Sequence, residues 1–131
     1  MPSVLIEVRK KYSPEQEIMI MDTVHAALLE AFKIKSNDKN VRFISHEPHR
    51  FACPISKEKP ELYTHISIDC FAGRSIDAKR TPYRLIVENL EKLSIPKDHI
   101  KILLREITPE NWGIRGGQAA CDVDLEFKIN V

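Results

Sequence analysis

Pro2 follows Met1 and opens the apolar alternation Val4-Leu5-Ile6-Glu7-Val8. Removal of Met1 would leave proline as the N-terminus, and proline there is a secondary amine. A model α-amino group titrates near pH ~7.7–8.0, and burial lowers the pKa of a cationic amine. A terminal proline in an apolar pocket can therefore exchange protons near neutral pH. If Met1 remains, the same nitrogen is an amide and cannot titrate. A second chemistry-bearing group is Gly73-Arg74-Ser75. Ser75 suits a helix N-cap, and a guanidinium beside a helix N-terminus joins a bidentate fork to free backbone N–H groups, a compact anion site. A plain surface arginine is the alternative.

Other residues carry weaker signals. Trp112, the one tryptophan, lies in the glycine-rich stretch Trp112-Gly113-Ile114-Arg115-Gly116-Gly117. It reads as a core plug or a pocket wall. That stretch lacks the lysine of a phosphate loop, so its glycines serve a tight turn. Arg115 is a second cation or a solvated loop arginine. Asp38 is half of an Asn-Asp turn pair. His25 falls on an apolar helical stripe and reads as a satisfied buried histidine. His46-Glu47-Pro48-His49 resembles a zinc helix only superficially, because Pro48 breaks the helix it would need. No metal is expected there.

The elements that must position these groups come in two matching sets. Ser13-Pro14-Glu15-Gln16 is a helix start: Ser13 as N-cap, Pro14 in the first turn, Gln16 closing a capping box. Ile18, Met21, His25, Leu28 and Phe32 follow at helical spacing. Val41-Arg42-Phe43-Ile44 reads as a strand. The second half repeats the order, with strand Ile66-Ser67-Ile68-Asp69-Cys70, helical stripe Tyr83, Ile86, Leu90 and Leu93, and strand Ile100 to Leu104. Pro82 interrupts the second helical pattern, but the stripe continues past it. The halves span about 1–47 and 63–107 of one domain, and 108–131 forms a C-terminal loop and a strand that includes Val123-Asp124-Leu125-Glu126-Phe127. The fold class is α+β: two tandem β-α-β units, each with a parallel strand pair, forming a four-stranded sheet with two helices on one face. Val4-Leu5-Ile6 and Ile102-Leu103-Leu104 are apolar in both phases, so the opposite sheet face needs a cover, and homo-oligomerisation supplies it.

The 131 residues suffice for a single real core, and the net charge of +1 gives no reason to expect nucleic acid or acidic lipid as a partner. No apolar run is long enough to span a membrane, and no secretory segment follows Met1. Cys53, Cys70 and Cys121 are an odd number without CxxC spacing, which fits free thiols and a cytoplasmic location.

Pro2, Ser36-Asn37-Asp38, Gly73-Arg74-Ser75, Asn111-Trp112-Gly113 and the tandem β-α-β order together resemble the tautomerase superfamily, with its 4-oxalocrotonate tautomerase-like fold. The resemblance extends over essentially the whole chain. Within the superfamily it is nearest to fused-repeat members such as malonate semialdehyde decarboxylase. It implies a mixed sheet, a homotrimer, and a cofactor-independent isomerase acting on small α-keto or enol carboxylic acids. Pro2 would transfer the proton, Arg74 would hold the carboxylate, Asp38 would orient the amine or a water, and Trp112 would wall the pocket. Arg115 could supply the second arginine that the family pattern expects near Ala72. Two alternatives stay open: a decarboxylase or hydratase with protonated Pro2 as general acid, and a non-catalytic trimeric binding protein.

Overall fold

A computed structural model describes residues 2–125. Strand β1 (Ser3–Val8) leads into helix α1 (Pro14–Phe32) and strand β2 (Val41–Ser45); β3 (Thr64–Phe71), α2 (Ile76–Glu91) and β4 (Ile100–Ile107) repeat that order. The four strands form one sheet in the order β2-β1-β3-β4. Each unit contributes a parallel pair, β1 with β2 and β3 with β4. The two units meet in an antiparallel β1–β3 pair that runs from Ser3 opposite Asp69 to Val8 opposite Thr64. The sheet is therefore mixed, and β1 and β3 are its central strands.

Local chemistry explains the helix starts. The Ser13 hydroxyl accepts from the Gln16 N–H at 3.2 Å, and the Gln16 side chain accepts from the Ser13 N–H at 2.9 Å. This closes the capping box. Ser75 caps α2, its hydroxyl accepting from the Ala78 N–H at 3.1 Å. Helix α2 runs through Pro82, which is buried against the core.

Alternation in β1 turns Val4, Ile6 and Val8 to the helical face, where Ile66, Ile68 and Cys70 of β3 join them. Ile20, Val24, Ala27, Leu28 and Phe32 of α1 and Ile86 and Leu90 of α2 cover them. Burying each of the Val, Ile, Leu and Phe side chains among them contributes roughly 1.5–3 kcal/mol. One expected core position is corrected. Ile18 is 53% exposed and Met19 54%, while Ile20 and Val24 are buried. Ile18-Met19-Ile20-Met21 is apolar throughout, so its composition does not fix the helical phase; packing on the sheet does.

The other sheet face is mixed in character. Its central row runs Arg42, Leu5, Ser67, Leu103 across the four strands. Ile44 is 42% exposed there and Leu103 44%. Asp69 is held by Arg105 through two bonds, 2.6 and 3.2 Å, and His46 Nε2 donates to Glu7 Oε1 at 2.9 Å.

After β4 the chain makes a short antiparallel hairpin, β5 (Gly113–Ile114) with β6 (Gln118–Ala119). Arg115, Gly116 and Gly117 turn it at φ 49°, 83° and 96°. The two glycines have open space around them, so it is the left-handed backbone that favours glycine there. Of the tail expected as a strand, Val123 to Leu125 carry no strand, and Glu126 and Phe127 lie outside the described residues.

Candidate active site

Pro2 lies at the mouth of β1, one step beyond the pairing of Ser3 with Asp69. It is buried. It lines a cavity of about 250 Å³ with Ser3, Asn40, Trp112, Gly113 and Ile114. Three separate segments build this cavity: the start of β1, the turn before β2, and the 112–114 stretch that enters the hairpin. Among the described residues no acidic side chain lines it.

Trp112 is fixed on several sides. Its indole Nε1–H donates to the Ile107 carbonyl at 3.2 Å, and its own carbonyl accepts from the Ala120 N–H at 2.9 Å. Its ring packs on Phe71, with centroids 4.8 Å apart and planes inclined at 47°. Trp112 thus lines the cavity and anchors the hairpin to the ends of β3 and β4.

Asp38 reaches the cavity through a neighbour. Asn40 Nδ2 donates to Asp38 Oδ1 at 3.0 Å, and the Asn40 carbonyl accepts from the Val4 N–H at 2.9 Å. Next to Pro2, an Arg42 guanidinium nitrogen donates to Ser3 Oγ at 3.1 Å. Asn40, Ser3 and Arg42 carried no signal in the sequence. Ser3 is the sequence neighbour of Pro2, and the parallel docking of β2 on β1 brings Asn40 and Arg42 to that end of the sheet.

Arg74 stands behind the wall. It is only 6% exposed. Its guanidinium carbon lies 3.9 Å from the Phe32 ring centroid, one nitrogen donates to the Phe71 carbonyl at 3.2 Å, and its buried Nε has no partner. Phe71 thus joins Arg74 through its carbonyl and Trp112 through its ring. Burial pushes the Arg74 guanidinium below its ordinary pKa, opposed by the Cys70 thiol beside it. Burial likewise pushes that thiol up, and Arg74 pulls it back. The turn before Arg74 is held by Glu106, whose carboxylate accepts from the Gly73 N–H at 3.1 Å and pairs with Lys79. Lys79 first, then the Gly73 N–H, holds the Glu106 carboxyl below its ordinary value.

Arg115 occupies the hairpin turn and donates to the Asp124 carbonyl at 3.0 Å. The structure therefore brings Pro2 and Trp112 into one wall, ties Asp38 to that wall through Asn40, sets Arg74 one residue behind it, and puts Arg115 on the hairpin outside it. His25 is buried and its Nε2 donates to the Ser36 carbonyl at 3.3 Å, a satisfied structural histidine. Among the described residues no three of His, Cys, Asp and Glu stand together as a metal set.

Comparison with known proteins bears on this arrangement. A family model described as Tautomerase enzyme matches residues 38–115, more than half of the chain. No curated protein matches the chain by sequence. Among solved structures, FG41 malonate semialdehyde decarboxylase inhibited by 3-bromopropiolate superposes with a TM-score of 0.82 at 25% identity, covering 92% of this chain and 94% of that one. A native fused 4-OT gives 0.82 at 15% identity, over 92% and 98% of the two chains. A member of the cis-3-chloroacrylic acid dehalogenase family gives 0.76 at 19%, over 89% and 82%. The last two likenesses speak for the fold alone. The tandem β-α-β units, the mixed sheet and the family match agree: this chain is a fused-repeat member of the tautomerase superfamily.

Proposed function

We propose that the chain is a cofactor-independent tautomerase of small α-keto or enol carboxylic acids, with Pro2 as the proton shuttle once Met1 is removed. The observation that carries this reading is the cavity shared by Pro2 and Trp112, with neutral walls and two arginines beside it, Arg42 through Ser3 and Arg74 behind Phe71.

In that reading the Pro2 nitrogen, as the free amine, takes the enol hydroxyl proton. The O–H electron pair becomes the carbonyl π bond, and the C=C pair is released towards carbon. Pro2 then gives its proton to that carbon, so atoms and charge balance. Two positive charges beside neutral walls favour a carboxylate and the negative charge that grows on the adjacent oxygen. Trp112 closes the cavity and limits water.

A second reading has one observation in its favour, the likeness to FG41 malonate semialdehyde decarboxylase. There Pro2 would start protonated and polarise a β-keto carbonyl. The C–C bond to the carboxylate would break, carbon dioxide would leave, and the proton would neutralise the resulting enolate. Pro2 as base or as acid separates the two.

We also assign self-association as a homotrimer to the exposed sheet face, on the strength of Ile44 and Leu103 lying open on it. The function is tested with two preparations distinguished by intact mass, one keeping Met1 and one lacking it. Turnover of an enol acid such as phenylenolpyruvate by the processed protein only supports the reading. Equal turnover by both removes Pro2 from the chemistry.

A further inference from the structure

We propose that Glu106 is a positioning residue for the carboxylate site: it fills the backbone anion nest ahead of α2 from within the protein and leaves a substrate carboxylate to the Arg74 guanidinium. The inference rests on Arg74 being the carboxylate clamp of the proposed function. In the sequence, Gly73-Arg74-Ser75 reads as an arginine joined to free backbone N–H groups. In the structure those groups are taken. The Ala72 N–H donates to the Ile107 carbonyl at 3.1 Å, and the Gly73 N–H donates to Glu106 Oε2 at 3.1 Å. The Arg74 N–H also bonds the Glu106 carboxylate. Ser75 then caps the helix through the Ala78 N–H. Gly73 makes the turn at φ 127°, and successive N–H groups of a turn can converge on one anion. Here that anion is the protein's own side chain. Its other oxygen, Oε1, pairs with the Lys79 ammonium of α2.

Strand register makes this possible. In the parallel β3–β4 pair Glu106 stands opposite Cys70 and Ile107 opposite Phe71, so the turn leaving β3 meets the end of β4. The Arg74 main chain is thereby tied to Glu106. Its side chain is tied to the core, with the guanidinium 3.9 Å from the Phe32 centroid and donating to the Phe71 carbonyl at 3.2 Å. Anchors at both ends of one side chain hold its fork in place. Burial opposes the Arg74 charge, and Glu106 nearby supports it. Removing Glu106 therefore releases the turn and withdraws the supporting negative charge. It also opens two N–H groups and the Lys79 ammonium to any carboxylate that enters. A substrate carboxylate drawn to that nest is held away from the fork that the reaction needs.

The test is calorimetric binding of 3-phenylpropanoate, a carboxylate that cannot turn over, to wild type, Glu106→Ala, Arg74→Ala and the double variant, each shown by circular dichroism to be folded. Glu106→Ala should weaken binding about tenfold, part of the loss in Arg74→Ala. Added to Arg74→Ala it should cost nothing further, because it acts through Arg74; a general loosening of the fold would add to the loss. Glu106→Gln keeps an oxygen for the Gly73 N–H but not the charge, so it should fall between Glu106→Ala and wild type. It carries the same double-variant comparison if the alanine variant does not fold. Nitrogen-15 spectra give a second readout: the ligand should leave the Gly73 amide resonance in place in wild type and move it in Glu106→Ala, where the nest is open. Wild-type affinity in both Glu106 variants overturns the proposal and leaves the Arg74 clamp standing. Losses that multiply in the double variant, or a Gly73 amide that moves in wild type, also overturn it. Wild-type affinity in Arg74→Ala overturns the clamp reading and this proposal together.

Discussion

The Arg74 guanidinium sits 3.9 Å above the Phe32 ring, so the cation behind the cavity is also part of the core. A desolvated cation–π contact is worth about 2 kcal/mol. Arg74→Ala should therefore lose stability and activity together, with kcat/KM falling about ten- to a hundredfold through both kcat and KM. Arg74→Lys should recover part of each, because a point charge cannot reproduce the planar fork. Arg115→Ala, changed on the hairpin, should cost less. Steady-state kinetics beside urea unfolding checks this. An Arg74→Ala enzyme with unchanged kcat/KM, beside an inactive Arg115→Ala enzyme, would move the carboxylate clamp to Arg115.

Trp112 is the one tryptophan of the chain, so its fluorescence reports on the cavity it lines. Titration with 3-phenylpropanoate, an unreactive carboxylate, should change that emission saturably. Trp112→Phe keeps the wall but loses the bond to the Ile107 carbonyl, for about 1 kcal/mol. Emission indifferent to the ligand, with turnover unchanged in Trp112→Ala, would take Trp112 out of the pocket.

Glu106 gives a pH dependence of stability with a definite sign. Its pKa is held low in the folded state by Lys79 and the Gly73 N–H. Its contribution is therefore complete above the ordinary carboxylate range and is lost as pH falls through the lowered folded value. Glu106→Gln should be less stable at about pH 7 and lose less on going to about pH 3. Denaturation across that range decides it; parallel curves for the two proteins would rule out the linkage.

The open sheet face should be a self-association surface. Sedimentation should give a trimer, and Leu103→Glu, which places a charge at the end of the row Arg42, Leu5, Ser67, should dissociate it. A stable wild-type monomer at micromolar concentration would contradict this.

The legible part of the fold was the part written in local chemistry. Ser13, Pro14 and Gln16 specify a capping box wherever they occur, and the period-two and helical patterns of β1 and α2 are each read within one element. The phase of α1 was legible from Met21 to Phe32 but not at Ile18, because Ile18 to Met21 is apolar throughout. The hairpin was half legible: Gly116 and Gly117 announce a turn, but two-residue strands have no period to detect. In the site, Pro2, Arg74, Asp38 and Trp112 stood out by residue type. Asn40 and Arg42 did not, because their place beside Pro2 comes from the parallel docking of β2 on β1, and a long-range register leaves no trace in local spacing.

The central claim is that the Pro2 nitrogen moves the proton. The direct measurement is kcat/KM of Pro2→Ala against wild type on phenylenolpyruvate, both proteins shown by intact mass to lack Met1 and by circular dichroism to share the fold. Positioned proton transfer contributes a factor of about 10² to 10⁴. A primary amine differs in basicity and is less constrained, so we expect a loss of about 100-fold or more. Wild-type turnover by Pro2→Ala would contradict the account.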